Sequence, residues 1–134
     1  MATIKSFTSF EQSKKLAEIL PLESADMVLL HEEPYETSNS KFDGLHQTLC
    51  VPFSKYDKSW RQKYKNISYF PCWSLAALLG VLPEYNLQKT DWGNKTEYKI
   101  VVTVNEDNYA SKNYDNPVDA CYEMIIKLKE MDLL

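Results

Sequence analysis

The run between two prolines at positions 71 and 83 constrains this chain more than any other feature. Trp73, Leu75, Ala76, Ala77, Leu78, Leu79, Val81 and Leu82 occupy nearly the whole circumference of a helix. A helix that is apolar on every side is expected to be buried on every side. Pro71 suits the first helical position, where its missing N–H would have no intrahelical partner. The apolar stretch over 70–82 is broken by Ser74 and Gly80, and it falls short of the ~20 residues needed to cross a bilayer. It therefore reads as the central helix of a packed core.

The segments on either side supply what could cover it. Thr8 with Glu11, or Ser9 with Gln12, forms a capping box that opens an N-terminal helix. Phe10, Ala17 and Leu20 lie on one stripe with Leu16 beside it, and Pro21 ends the helix. Residues 25–31 fit either a short strand or a buried helical turn, with the strand preferred, while 32–47 read as a polar loop and 48–53 as a strand. Pro52 confines that strand to a sheet edge or a strand end. Residues 54–66 are basic and aromatic, and no element is assigned to them.

Residues 86–89 and 97–104 read as a hairpin across Asp91-Trp92-Gly93-Asn94. Tyr98, Ile100, Val102 and Val104 alternate with Lys99, Val101 and Thr103, and the second face is expected to be partly covered as well. Residues 105–115 read as a loop. Asn116-Pro117-Val118-Asp119 then starts a closing helix, with Asn capping, Pro following and Asp119 near the positive helix end. Val118, Cys121, Tyr122, Ile125 and Leu128 keep its period. The stripe would next reach Asp132, so the last turn is expected to fray, and Glu123 and Lys127 are expected to pair at i,i+4. This order predicts an α+β fold: a short antiparallel sheet with a buried central helix, and N- and C-terminal helices packed on it.

A length of 134 residues fits one domain spanning 1–134. A 44% hydrophobic and 25% charged composition is that of a chain able to build a core. A formal net charge of −4 gives no bulk attraction to nucleic acid or anionic lipid. Nine tyrosines, amphipathic side chains that often sit where core meets surface or partner, lean mildly toward binding. Cys50, Cys72 and Cys121 are odd in number and form no CxxC pair. With the polar start Met1-Ala2-Thr3-Ile4-Lys5-Ser6, they predict free thiols in a reducing, cytoplasmic setting without a signal peptide.

Candidate chemistry is sparse. Cys72, placed by the sequence in the first turn of the central helix, is where the helix dipole could lower a thiol pKa. It could work with His31 or His46 as a Cys–His nucleophile, although a cysteine beside Trp73 ahead of an apolar helix is more often plain core. His31, Glu32 and Glu33, with Glu36 nearby, read as a solvated acidic region, and no metal site is expected. With glycine only at 44, 80 and 93, no glycine-rich phosphate loop can be written, and no cofactor is expected. The one concentrated basic stretch is 55–65. Its Trp60, Arg61, Lys63 and Tyr64 interleave charge with aromatic rings and are the candidate binding residues. They could meet an acidic protein surface or track a single-stranded nucleic acid, or simply form a solvated loop with its rings turned inward.

The segment Pro71-Cys72-Trp73-Ser74-Leu75-Ala76-Ala77-Leu78-Leu79-Gly80-Val81-Leu82-Pro83 resembles small uncharacterised proteins of bacteriophages and mobile elements of gut bacteria. Glu11-Gln12-Ser13-Lys14-Lys15-Leu16, leading to Leu22-Glu23-Ser24-Ala25-Asp26-Met27, is similar to that family's opening. Asn116-Pro117-Val118-Asp119-Ala120-Cys121 is similar to its closing helix. The resemblance implies an element-borne origin and brings no catalytic residues with it. The expected function is a non-enzymatic protein-interaction module acting in a bacterial cytoplasm. Its partner would be a host or phage protein, with neither nucleic acid nor membrane as the expected target. The alternatives are a small Cys/His enzyme, or a nucleic-acid-associated protein using the 55–65 stretch.

Overall fold

The computed structural model describes residues 5–32, 47–52 and 67–134. They form an α+β fold of helices and antiparallel sheets, divided into two compact units. One unit comprises Ser9–Cys72. The other comprises Trp73–Leu134 together with the N-terminal segment ending at Thr8.

In the Ser9–Cys72 unit, helix α1 (Phe10–Ile19) uses the second of the two possible capping boxes. The Gln12 amide donates to the Ser9 hydroxyl at 3.2 Å, and the Ser9 amide donates to Gln12 Oε1 at 3.0 Å. Ser13, Leu16 and Leu20 are buried, while Phe10 and Ala17 are half-buried. Strand β1 (Met27–Glu32) lies between β2 (Gln47–Pro52) and β3 (Ile67–Cys72), antiparallel to both. Helix α1 packs on β3, with the Phe10 and Phe70 rings edge-to-face at 4.9 Å. Both edge strands carry a proline, Pro52 and Pro71. An edge strand tolerates proline because half of its amides face away from the ladder.

Pro71 therefore does not open the central helix, and Cys72 is not in a helical first turn. Both belong to β3. The helix, α2 (Leu75–Val81), starts four residues later, because Ser74 provides the better N-cap. Its hydroxyl accepts from the Ala77 amide at 3.2 Å. Upstream of the cap, the segment before α1 pairs with the chain. The Thr8 amide donates to the Trp73 carbonyl at 2.9 Å, and the Leu75 amide donates to the Ser6 carbonyl at 3.2 Å.

Burial of α2 is one-sided rather than all round. Leu78 is buried, as are the flanking Trp73 and Leu82, whereas Leu75 and Leu79 are half-buried and Ala76 and Gly80 are exposed. Ala76 and Gly80 are four apart and share a face. Being small, they expose little apolar area, so an apolar circumference does not force full burial here.

The remaining sheet runs in the order β4-β5-β6, formed by β4 (Tyr85–Asp91), β5 (Thr96–Val104) and β6 (Asp107–Ala110), all antiparallel. The predicted alternation holds on the central strand. Tyr98, Ile100 and Val102 are buried, and the residues between them are half-buried. Gly93 takes φ +90 in the β4–β5 turn and donates its amide to Asp91 Oδ1 at 2.8 Å. Helix α3 (Pro117–Glu130) packs on β5 and on α2, burying Val118, Cys121, Met124, Ile125 and Leu128.

Three expectations for this region are corrected. The loop read over 105–115 contains β6. Asn105 (φ 51) and Glu106 (φ 70) both take left-handed conformations, the pattern of a type I′ hairpin turn. The last turn of α3 does not fray. Asp132 takes φ 57, and the Leu133 amide donates to the Leu128 carbonyl at 2.8 Å, closing the helix in a Schellman motif. Glu123 and Lys127 do not pair with each other. Lys127 Nζ reaches the Ala110 carbonyl at 3.4 Å, and the Glu123 carboxylate lies near the Tyr114 phenol.

Candidate functional site

The thiols are poor nucleophile candidates. Cys72 and Cys121 are in no disulfide and are fully buried. Burial pushes the Cys121 thiol up to about 12, far from the thiolate that nucleophilic chemistry requires. Cys72 ends a strand and lies outside the helix that begins at Leu75. Its register partner on β1 is Met27, and His31 lies four residues further along that strand. At ~3.3 Å rise per residue and ~4.8 Å between strands, the Cα atoms of Cys72 and His31 are about 14 Å apart.

His46, Glu33 and Glu36 lie outside the described residues, as do the candidate binding residues Trp60, Arg61, Lys63 and Tyr64. Among the described residues, no group of three His, Cys, Asp or Glu side chains is placed to hold a metal ion. No helix among them is long and apolar enough to cross a membrane.

Charged groups do converge at the start of α3. Lys5 Nζ and Asp119 Oδ1 are 2.8 Å apart. Asn116 Nδ2 donates to Asp115 Oδ1 and to Asp119 Oδ2, both at 2.8 Å, and Asn116 Oδ1 accepts from the Asp119 amide. Burial, with the nearby Glu123 and Asp119 carboxylates, raises the Tyr114 phenol above its ordinary value. These groups bond one another, so the cluster caps and anchors a helix rather than presenting a site.

The outer edge of β4 is different. Of its seven residues only Leu87 is half-buried, and the other six are exposed. The phase of its hydrogen bonding is fixed at both ends. The Thr103 amide donates to the Glu84 carbonyl at 2.8 Å, and the Trp92 amide donates to the Lys95 carbonyl at 2.8 Å. In an antiparallel ladder, every second residue shares this orientation. Asn86, Gln88 and Thr90 therefore turn their backbone groups toward β5, and Tyr85, Leu87, Lys89 and Asp91 turn theirs away from it. No described strand lies beyond β4.

The strand carries no proline and its register with β5 has no bulge. Its defences against edge-to-edge pairing are few: Lys89 and Asp91. Exposed rings stand at both ends, Tyr85 at 44% and Trp92 at 61% of full exposure. The opposite edge is managed differently, since β6 is only four residues long and Lys127 reaches its last carbonyl. Sequence reading located this hairpin but not its open edge, because alternation within a strand does not say which neighbours a sheet gives it.

Comparisons with protein-family models, with curated proteins and with solved structures return no match to this chain.

Proposed function

We infer that this chain is a binding module that engages a partner protein by strand addition. An extended segment of the partner would become the next strand beside β4. The observation that carries the reading is the outward row of backbone donors and acceptors at Tyr85, Leu87, Lys89 and Asp91, on an exposed strand with neither proline nor bulge. Main-chain hydrogen bonds would supply affinity, and alternate side chains specificity. Tyr85 and Trp92 add amphipathic contact area at the two ends, the kind of side chain enriched at interfaces. The burial of Cys72 and Cys121 favours this over a thiol-based enzyme. The resemblance to phage and element-borne proteins supports a host or phage protein in a bacterial cytoplasm as the partner.

The test is a selection of displayed peptides of about nine residues, enough to pair along a strand of this length. The protein is run beside Lys89→Pro, which deletes one outward donor while leaving every β4–β5 bond in place. Selected peptides should bind the parent, lose binding to Lys89→Pro, and on the parent protect the amides of Tyr85, Leu87, Lys89 and Asp91 from exchange. Peptides that bind both proteins equally, or that protect other amides, would refute the assignment.

A further inference from the structure

The β4 edge is complementary to itself. Pairing through this edge must join residues whose backbone groups face outward, so an antiparallel partner strand can match only the set Tyr85, Leu87, Lys89 and Asp91. For two copies of β4, three registers give substantial overlap, with the two-fold axis at Leu87, Gln88 or Lys89. The axis at Lys89 sets two ammonium groups directly opposite each other, which is destabilising. The axis at Gln88 opposes Leu87 to Lys89 and Tyr85 to Asp91, leaving the one apolar side chain of the row facing a charge.

The axis at Leu87 matches like with like and ring with cation. Leu87 faces the second Leu87, and each Tyr85 ring faces the Lys89 of the other copy, within reach of a cation–π contact. On the other face of the sheet, Asn86 opposes Gln88, so the amides can exchange hydrogen bonds across the seam. Over 84–99 the charges are Glu84, Asp91 and Glu97 against Lys89, Lys95 and Lys99, three of each sign. The seam region is therefore neutral even though the whole chain carries −4, and local repulsion does not oppose the approach.

We propose that two copies of this chain dimerise through β4, antiparallel about a two-fold axis at Leu87, joining two three-stranded sheets into one of six strands. This rests on the reading of β4 as an open strand-addition edge and names the occupant of that edge when no partner is present. A partner strand would then have to displace the second copy. With three hydrogen-bonded residue pairs at its centre, the seam is a small interface, and the dimer is expected to be weak and concentration-dependent.

The test is analytical ultracentrifugation of the full chain up to about 0.5 mM, a range in which a contact at the weak end of specific interfaces is still populated. It is run on the parent, Lys89→Pro, Leu87→Lys and Leu87→Glu, with circular dichroism confirming that each variant is folded. The parent should move from monomer toward dimer with concentration. Leu87→Lys and Leu87→Glu alone should stay monomeric, each placing like charges across the axis. An equimolar mixture of those two should recover a heterodimer at least tenfold tighter than either variant alone. A parent that is monomeric throughout overturns the proposal. So does a Leu87→Glu variant that self-associates more tightly than the parent, because that is the signature of the Gln88-centred register. If the parent stays monomeric while selected peptides still distinguish it from Lys89→Pro, only the self-pairing falls. If the peptides make no distinction either, the strand-addition reading falls with it.

Discussion

Ser111→Ala should destabilise the protein by about 1–3 kcal/mol, out of proportion to the loss of one oxygen. Ile100 sits at the middle of β5 and is fully buried. Its amide faces the β6 side, but β6 ends at Ala110. The hydroxyl of Ser111 substitutes for the carbonyl that a longer strand would offer, accepting from the Ile100 amide at 3.0 Å. The Ser111 amide returns a bond to the Ile100 carbonyl at 2.9 Å. Alanine at 111 keeps that return bond and removes the acceptor, so a buried amide loses its partner and the full desolvation cost appears. The second bond of the hydroxyl, to the Lys112 carbonyl at 2.8 Å, is only partly buried, and water can replace it. Urea unfolding reads the result as a lower midpoint with an unchanged slope, alongside faster exchange of the Ile100 amide. A variant within about 0.5 kcal/mol of the parent, the range of ordinary surface changes, would refute the argument that this hydroxyl completes the ladder.

Leu78, fully buried in α2, should cost about 2–5 kcal/mol when replaced by Ala, measured by the same unfolding experiment. Asn116→Ala removes the acceptor for the Asp119 amide and should cost about 1 kcal/mol, up to ~2 if the two carboxylates that Asn116 also bonds lose their order. Cys121 gives an alkaline signature. Its folded thiol keeps a proton that the unfolded thiol releases from about pH 9, so its contribution is intact below that pH. The contribution is lost as pH climbs toward 12, by as much as ~4 kcal/mol. Cys121→Ala should show a shallower decline of unfolding free energy over the same range, and equal slopes would contradict the burial argument.

What was legible in the sequence was local chemistry that tertiary packing does not override. Asn116-Pro117 set the start of α3, Ser9 with Gln12 set the start of α1, and the alternation at Tyr98, Ile100 and Val102 set the face of β5. The elements that were not legible share a cause. Pro71 is compatible with both a helix start and an edge strand, and only pairing with β1 at Val28 distinguishes them. Asn105-Glu106 is a hairpin turn without the glycine that usually marks one, so the sequence around β6 reads as loop. Asp132 took the left-handed position usually given to glycine, which hid the close of α3. The β4 edge was out of reach for a different reason. Exposure of a strand depends on which strands the sheet lacks, and no residue within 85–91 records that.

Alternate residues of β4 are inferred to present open backbone groups to a further strand. Amide exchange resolved to single residues, followed from high dilution to the highest attainable concentration, tests this most directly. At high dilution Asn86, Gln88 and Thr90 should be protected by β5, while Tyr85, Leu87, Lys89 and Asp91 exchange as exposed amides. With rising concentration Tyr85, Leu87 and Lys89 alone should slow, because the Leu87-centred seam pairs those three residues and leaves Asp91 beyond it. Protection of all seven residues at high dilution, or slowing confined to Asn86, Gln88 and Thr90, would contradict the account.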